Sequence, residues 1–105
     1  MEYKLGVRDR LVLLGSLPPE GNLATIRIVR ELRENLSFSE AEHADLQMVE
    51  SDGQLRWKEG AIPDRAIEIG AKGQEIIRSA LEKLNTEGKL REEHLDLCDL
   101  FEIGE

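Results

Sequence analysis

Leu46-Gln-Met-Val-Glu-Ser-Asp-Gly-Gln-Leu-Arg-Trp-Lys58 is the stretch on which the fold class turns. Asp52-Gly53 is the dipeptide that best tolerates the positive backbone angles of a two-residue hairpin turn, and it lies between two short runs, Leu46 to Ser51 and Gln54 to Lys58. With those two residues as the loop, Ser51 pairs with Gln54 and Met48 stands opposite Trp57. Leu46, Met48, Leu55 and Trp57 then share one face. This hairpin makes the chain α+β.

Upstream, Tyr3 to Leu5 reads as a short strand, and Gly6 precedes a helix from Val7 to Leu17 whose Val7, Leu11 and Leu14 recur at helical spacing. Pro18-Pro19 stops it, and Gly21-Asn22 completes a turn. From Ala24 to Leu36 no proline or glycine intervenes, and Thr25, Ile28, Val29, Leu32 and Leu36 fall on one face of a second helix. Ser39-x-x-Glu42 is a capping box that opens one or two further turns. Downstream of the hairpin, Gly60-Ala-Ile-Pro-Asp64 breaks the pattern and Ala66 to Ile69 alternates as a third strand. Ile76, Ile77, Ala80, Leu81 and Leu84 stripe a longer helix, for which Gly88 is the left-handed C-terminal cap. A terminal helix ends near Ile103, with Leu97, Leu100 and Phe101 on its apolar face and carboxylates early, where the helix dipole favours them. The phrases Tyr3 to Leu14 and Ala66 to Leu81 share a strand-Gly-helix plan with too few identities to argue duplication.

At 105 residues the chain suits one hydrophobic core, so 1–105 is expected to be a single domain of about four helices on a small antiparallel sheet containing the hairpin. Aromatic residues are scarce, which leaves the core to Leu, Ile and Val. Cys98 is the only cysteine, so no intrachain disulfide forms. No apolar run approaches the roughly 20 residues that span a bilayer, and the N-terminus lacks a signal-peptide pattern, so a cytoplasmic protein with no membrane partner is expected.

The 22 Asp and Glu against 14 Lys and Arg give a net charge of -8, with most of the surplus in Glu40 to Glu59 and Glu87 to Glu105. Such a surface repels phosphate, so nonspecific nucleic-acid binding has no whole-chain driving force. One motif points the other way. Ile69-Gly-Ala-Lys-Gly-Gln-Glu-Ile76 reproduces the I-G-x-x-G-x-x-I core of the KH nucleic-acid module, which would make Gly70, Lys72 and Gly73 phosphate-binding residues. A KH module needs a helix before this turn and a strand after it, whereas here a strand precedes and an acidic helix follows. The competing account is that Gly70 and Gly73 simply open a helix. The segment is neither a P-loop nor a Rossmann fingerprint.

His94 and Cys98 are four apart on the last helix, but two ligands do not make a metal site, even with His43 beside Glu40 and Glu42. A buried cysteine with a surface histidine is the commoner arrangement. Neither a metal nor a cofactor is expected, and no donor pair accompanies Cys98 for nucleophilic catalysis, so the chain reads as a non-enzyme. Arg27, Arg30 and Arg33 recur every three residues on the second helix. Glu31 and Glu34 would pair with them on a solvated face. Alternatively, the stripe docks acid, and the acidic terminal helix of this or a neighbouring chain supplies it, which makes a dimer one expectation. Trp57 is an interface anchor or is partly buried against the core.

Arg8-Asp-Arg-Leu-Val-Leu-Leu14, Pro19-Glu-Gly-Asn22, Ile28-Val-Arg-Glu-Leu-Arg33, Ile67-Glu-Ile-Gly70 and Glu92-Glu-His-Leu95 together resemble short uncharacterised proteins encoded in bacteriophages and prophages. The resemblance spans most of the chain, implies a viral or mobile-element setting in a host cytoplasm, and carries over no site residue. The expected function is therefore that of a protein-protein interaction or regulatory protein, with a nucleic-acid module at Gly70 to Gly73, or an acidic nucleic-acid mimic, as the alternatives.

Overall fold

A computed structural model describes residues 1–103, so Glu105, the end of the second acidic block, lies outside them. The order is β1 (Glu2–Leu5), α1 (Val7–Ser16), α2 (Leu23–Leu36), α3 (Glu40–Leu46), β2 (Val49–Ser51), β3 (Gln54–Arg56), β4 (Arg65–Glu68), α4 (Ala71–Thr86), a single 3-10 turn (Glu92–His94) and α5 (Leu95–Leu100). The fold is α+β. Its strands form two separate antiparallel pairs, β1 with β4 and β2 with β3.

The β1-β4 pair is the centre of the architecture. Tyr3 lies opposite Ile67, and Leu5 opposite Arg65. Alternation sends Tyr3, Leu5 and Ile67 into the core and leaves Glu2, Lys4, Ala66 and Glu68 in solvent. Each strand leads within two residues to a glycine that caps the following helix in extended backbone, Gly6 for α1 and Gly70 for α4. The two strand-Gly-helix phrases of the sequence are thus the two paired halves of one sheet.

Helices α1, α2 and α4 close over the sheet. Leu13, Leu17, Val29, Leu32, Leu36, Ile77 and Leu81 are buried with Ile69, Leu97 and Phe101. Burying an aliphatic side chain is worth about 1.5–3 kcal/mol, so this cluster is the main source of stability. Two aromatics share it: the Tyr3 and Phe101 rings stack with centroids 4.5 Å apart. Tyr3 keeps its hydroxyl satisfied by donating to Gln74 Oε1 at 3.0 Å, and Gln74 Nε2 donates to the Ile69 carbonyl at 3.0 Å.

Two expectations about faces are corrected. On α1 the deepest residues are Arg10 and Leu13, not Val7, Leu11 and Leu14, which are half-buried. The helix is apolar on two sides, one facing the core and one facing the hairpin, so a single stripe chosen from spacing falls between them. Leu46 is the fully buried last residue of α3 and not a hairpin position, because Gln47 takes a left-handed conformation (φ 50°) that ends the helix and re-aims the chain.

Among the described residues, no helix is long and apolar enough to cross a membrane.

Candidate functional site

The α2 helix presents opposite sides of contrasting chemistry. Asn22 caps it, its side chain accepting from the Thr25 N–H at 2.9 Å, and Val29, Leu32 and Leu36 face the core. Leu23, Arg27, Arg30 and Glu34, spaced i, i+4, i+7 and i+11, run along the opposite side. Leu23 is 67% exposed, and the arginines stand in solvent with it. Arg30 Nε approaches Glu34 Oε1 at 3.6 Å, an exposed pair worth only tenths of a kcal/mol. Arg33 is exposed one step around the helix.

The last helix carries the complementary face. Leu97, Cys98 and Phe101 point inward, and Arg78 Nε on α4 donates to the Phe101 carbonyl at 3.0 Å, tying down the end of α5. Outward, Leu95 is 61% exposed among Glu92, Asp96 and Asp99. Among the described residues, no ion pair joins Arg27, Arg30 or Arg33 to these carboxylates. Each face is therefore an exposed leucine amid charge, mainly positive on α2, where Glu34 offsets Arg30, and negative on α5, and the two do not meet within the chain.

The hairpin keeps the expected turn and register, with Ser51 opposite Gln54 and Val49 opposite Arg56, but its strands are shorter than expected, Val49–Ser51 and Gln54–Arg56. Asp52 and Gly53 take φ of 52° and 76°, the positive angles of the two-residue turn. Trp57 lies below the strands, half-buried, with the Arg8 guanidinium 5.9 Å from its ring centroid. Leu55 and Trp57 roof a crevice of about 530 Å³ floored by Leu11 and Val12 of α1. Trp57 thus faces the helices and anchors the hairpin there.

Gly70, Lys72 and Gly73 open α4. Gly70 is its exposed cap, and Lys72 is exposed beside Glu75 at 3.8 Å. Gly73 is buried in the first turn: a Cβ there would meet Ile69 Cγ2 and Leu32 Cδ2 at 3.0 Å each. This glycine lets α2 approach α4. It does not sit in a loop exposed to phosphate.

His94 is buried, not at the surface, and its Nδ1 accepts from the Arg91 N–H at 2.9 Å, a cap for the 3-10 turn that occupies one ring nitrogen. Burial raises the Cys98 thiol above its ordinary value, with the Asp99 carboxylate adding to the shift, which disfavours thiolate. Among the described residues, no three His, Cys, Asp or Glu side chains are grouped to hold a metal.

The sequence reading gave no role to the most elaborate polar cluster. Arg10, 1% exposed, donates from Nε to the Leu36 carbonyl at 3.1 Å and from Nη2 to the Ser37 carbonyl at 2.6 Å. It also makes a forked pair with Glu42, Nη1 to Oε2 at 2.8 Å and Nη2 to Oε1 at 3.2 Å. Its guanidinium lies 3.9 Å from the Phe38 ring centroid. Arg10 therefore satisfies the end of α2 while Glu42, in its capping box with Ser39, opens α3. The Arg10 hydrogen bonds hold the Glu42 carboxyl at about 2, below its usual 4.5. Each of the three guanidinium nitrogens donates at least once, four bonds in all, so this is a structural joint. The only hint in the sequence is that Arg10 lies three residues before Leu13 and seven before Leu17, on the buried side of α1.

The chain was compared with protein-family models, with curated proteins and with solved structures, and it matches none of them.

Proposed function

We propose that the chain is a non-enzymatic protein-binding module whose partner, in the first instance, is a second copy of itself, and whose setting, by its resemblance to phage and prophage proteins, is the host cytoplasm. The observation that carries this reading is a pair of faces of opposite charge that do not meet within the chain, Leu23 with Arg27, Arg30 and Arg33 on α2 and Leu95 with Glu92, Asp96 and Asp99 on α5. Each offers an apolar anchor within a charged surround, the pattern of an interface whose charges select register and partner. Head-to-tail contact between the faces satisfies both. Each molecule would donate one face and accept with the other, which closes as a ring or a reciprocal pair or continues as a chain.

Sedimentation at low and at high salt tests this. Association that weakens as salt is added is expected, because exposed charges are screened within about a nanometre at physiological ionic strength. A protein that stays monomeric at high concentration in low salt, with Arg30→Glu behaving identically, would return the stripe to an ordinary solvated surface.

A further inference from the structure

We propose that the outer edge of β3 pairs with the same edge of a second copy, joining two hairpins into a four-stranded antiparallel sheet around a two-fold axis at Leu55. This contact uses a different surface from the charged faces and stands or falls independently of them.

The hairpin consists of two three-residue strands with every residue exposed, a size at which an isolated pair is marginal in water. Its register decides which backbone groups are free. A two-residue loop makes Ser51 and Gln54 a pair that exchanges both backbone hydrogen bonds, and alternation gives Val49 and Arg56 the same role. The Lys58 N–H also points inward, though to the Leu46 carbonyl at 2.8 Å and not to Gln47, which the register would set opposite it, so the regular ladder ends at Val49 and Arg56. The N–H and C=O groups of Leu55 and Trp57 therefore face outward on the β3 edge, and those of Glu50 face outward on the β2 edge.

Side-chain chemistry distinguishes the two edges. A two-fold axis at Glu50, the outward-bonding residue of β2, would set Glu50 against Glu50 of the partner copy, a like-charge pair directly across a ladder. A two-fold axis at Leu55 on β3 sets leucine against leucine and Gln54 against Arg56 of the partner copy. It also sets Trp57 against Gly53 of the partner copy, so that the indole covers a residue with no side chain of its own. At that axis the Leu55 residues, 40% exposed in one chain, exchange both outward backbone bonds, the hydrogen-bonded kind of antiparallel pair. No proline or bulge interrupts the paired residues Gln54 to Arg56. The Arg8 guanidinium, 5.9 Å from the Trp57 ring centroid, ties the chain just after β3 to α1. Pairing β3 on β2 of the next copy would leave free edges and grow without limit, whereas the two-fold closes at a dimer.

Proline at position 55 tests this directly, because that N–H points away from β2 and the hairpin's own ladder does not use it. Sedimentation equilibrium in high salt, where the charged faces are screened, is expected to show monomer and dimer only. Leu55→Pro should weaken the dimer by about tenfold or more, as two symmetry-related hydrogen bonds are lost. Glu50→Pro, which removes the equivalent outward donor on β2, should leave it unchanged. Trp57 fluorescence reports whether the hairpin survives. Should Leu55→Pro disturb it, Leu55→Asp, which brings two carboxylates together at the axis, replaces it and should abolish the dimer. A monomeric wild type in high salt, species larger than a dimer, or equal dimerisation of the wild type and the position-55 variant would overturn the proposal. Failure of the charged-face reading shows elsewhere, as indifference of low-salt association to Arg30→Glu.

Discussion

Arg10 shows how one side chain joins three segments. Its charge is buried, and two carbonyls and a carboxylate depend on it, so Arg10→Ala should destabilise the fold by about 3–5 kcal/mol in urea unfolding, the cost of breaking a buried pair and stranding its partners. A cost within the range of an ordinary surface substitution would mean that water replaces the guanidinium freely. Glu42 carries the pH counterpart. Its folded value of about 2 lies below the ordinary 4.5, so its contribution is fully present above about 4.5 and is lost as pH falls through about 2. Glu42→Gln should therefore lower stability at neutral pH and flatten the loss between those two values, a difference that unfolding curves at several acidic pH values would reveal. Neither effect was legible in the sequence. An arginine among leucines on a helix reads as a solvated position, and only the tertiary placement of the Leu36 and Ser37 carbonyls makes it a buried one.

At the scale of elements, local signals sufficed wherever a turn or cap fixes the backbone. Asp52-Gly53 specified the hairpin and its register, Ser39-x-x-Glu42 the start of α3, and Pro18-Pro19 the end of α1. They could not show that the hairpin stands apart from the β1-β4 pair, because which strands meet depends on contacts across more than 60 residues, as when Tyr3 reaches Ile67. Gly73 is a case where motif and packing compete. The Ile69 to Ile76 phrase looks like a phosphate turn, yet the glycine is there because α2 lies against it. Gly73→Ala gains about 1 kcal/mol of helix propensity but presses a methyl to 3.0 Å from two buried side chains, and overpacking typically costs 1–3 kcal/mol. The expected result is a net loss of about 1 kcal/mol in thermal or chemical unfolding. A gain of the same size would show that Leu32 and Ile69 yield easily.

For the whole molecule, net charge and its distribution do different work. The overall charge of -8 opposes phosphate, while the placement of the arginines on α2 and the carboxylates on α5 leaves the molecule with a positive and a negative face. The arginine stripe and the acidic helix were both visible in the sequence; that they fail to meet within the chain was not, since it depends on where α2 and α5 sit around the core. The central claim, that these faces meet between molecules, is tested most directly by charge exchange. An Arg27→Glu, Arg30→Glu variant makes both faces acidic, and an Asp96→Lys, Asp99→Lys variant makes the last helix basic like α2. In low-salt sedimentation, with Leu55→Pro present in both to silence the hairpin edge, each variant alone should remain monomeric, and an equal mixture should associate because each supplies the charge the other lacks. If the mixture stays as monomeric as its components while the Leu55→Pro parent self-associates, the two faces are not each other's partners and the account is wrong.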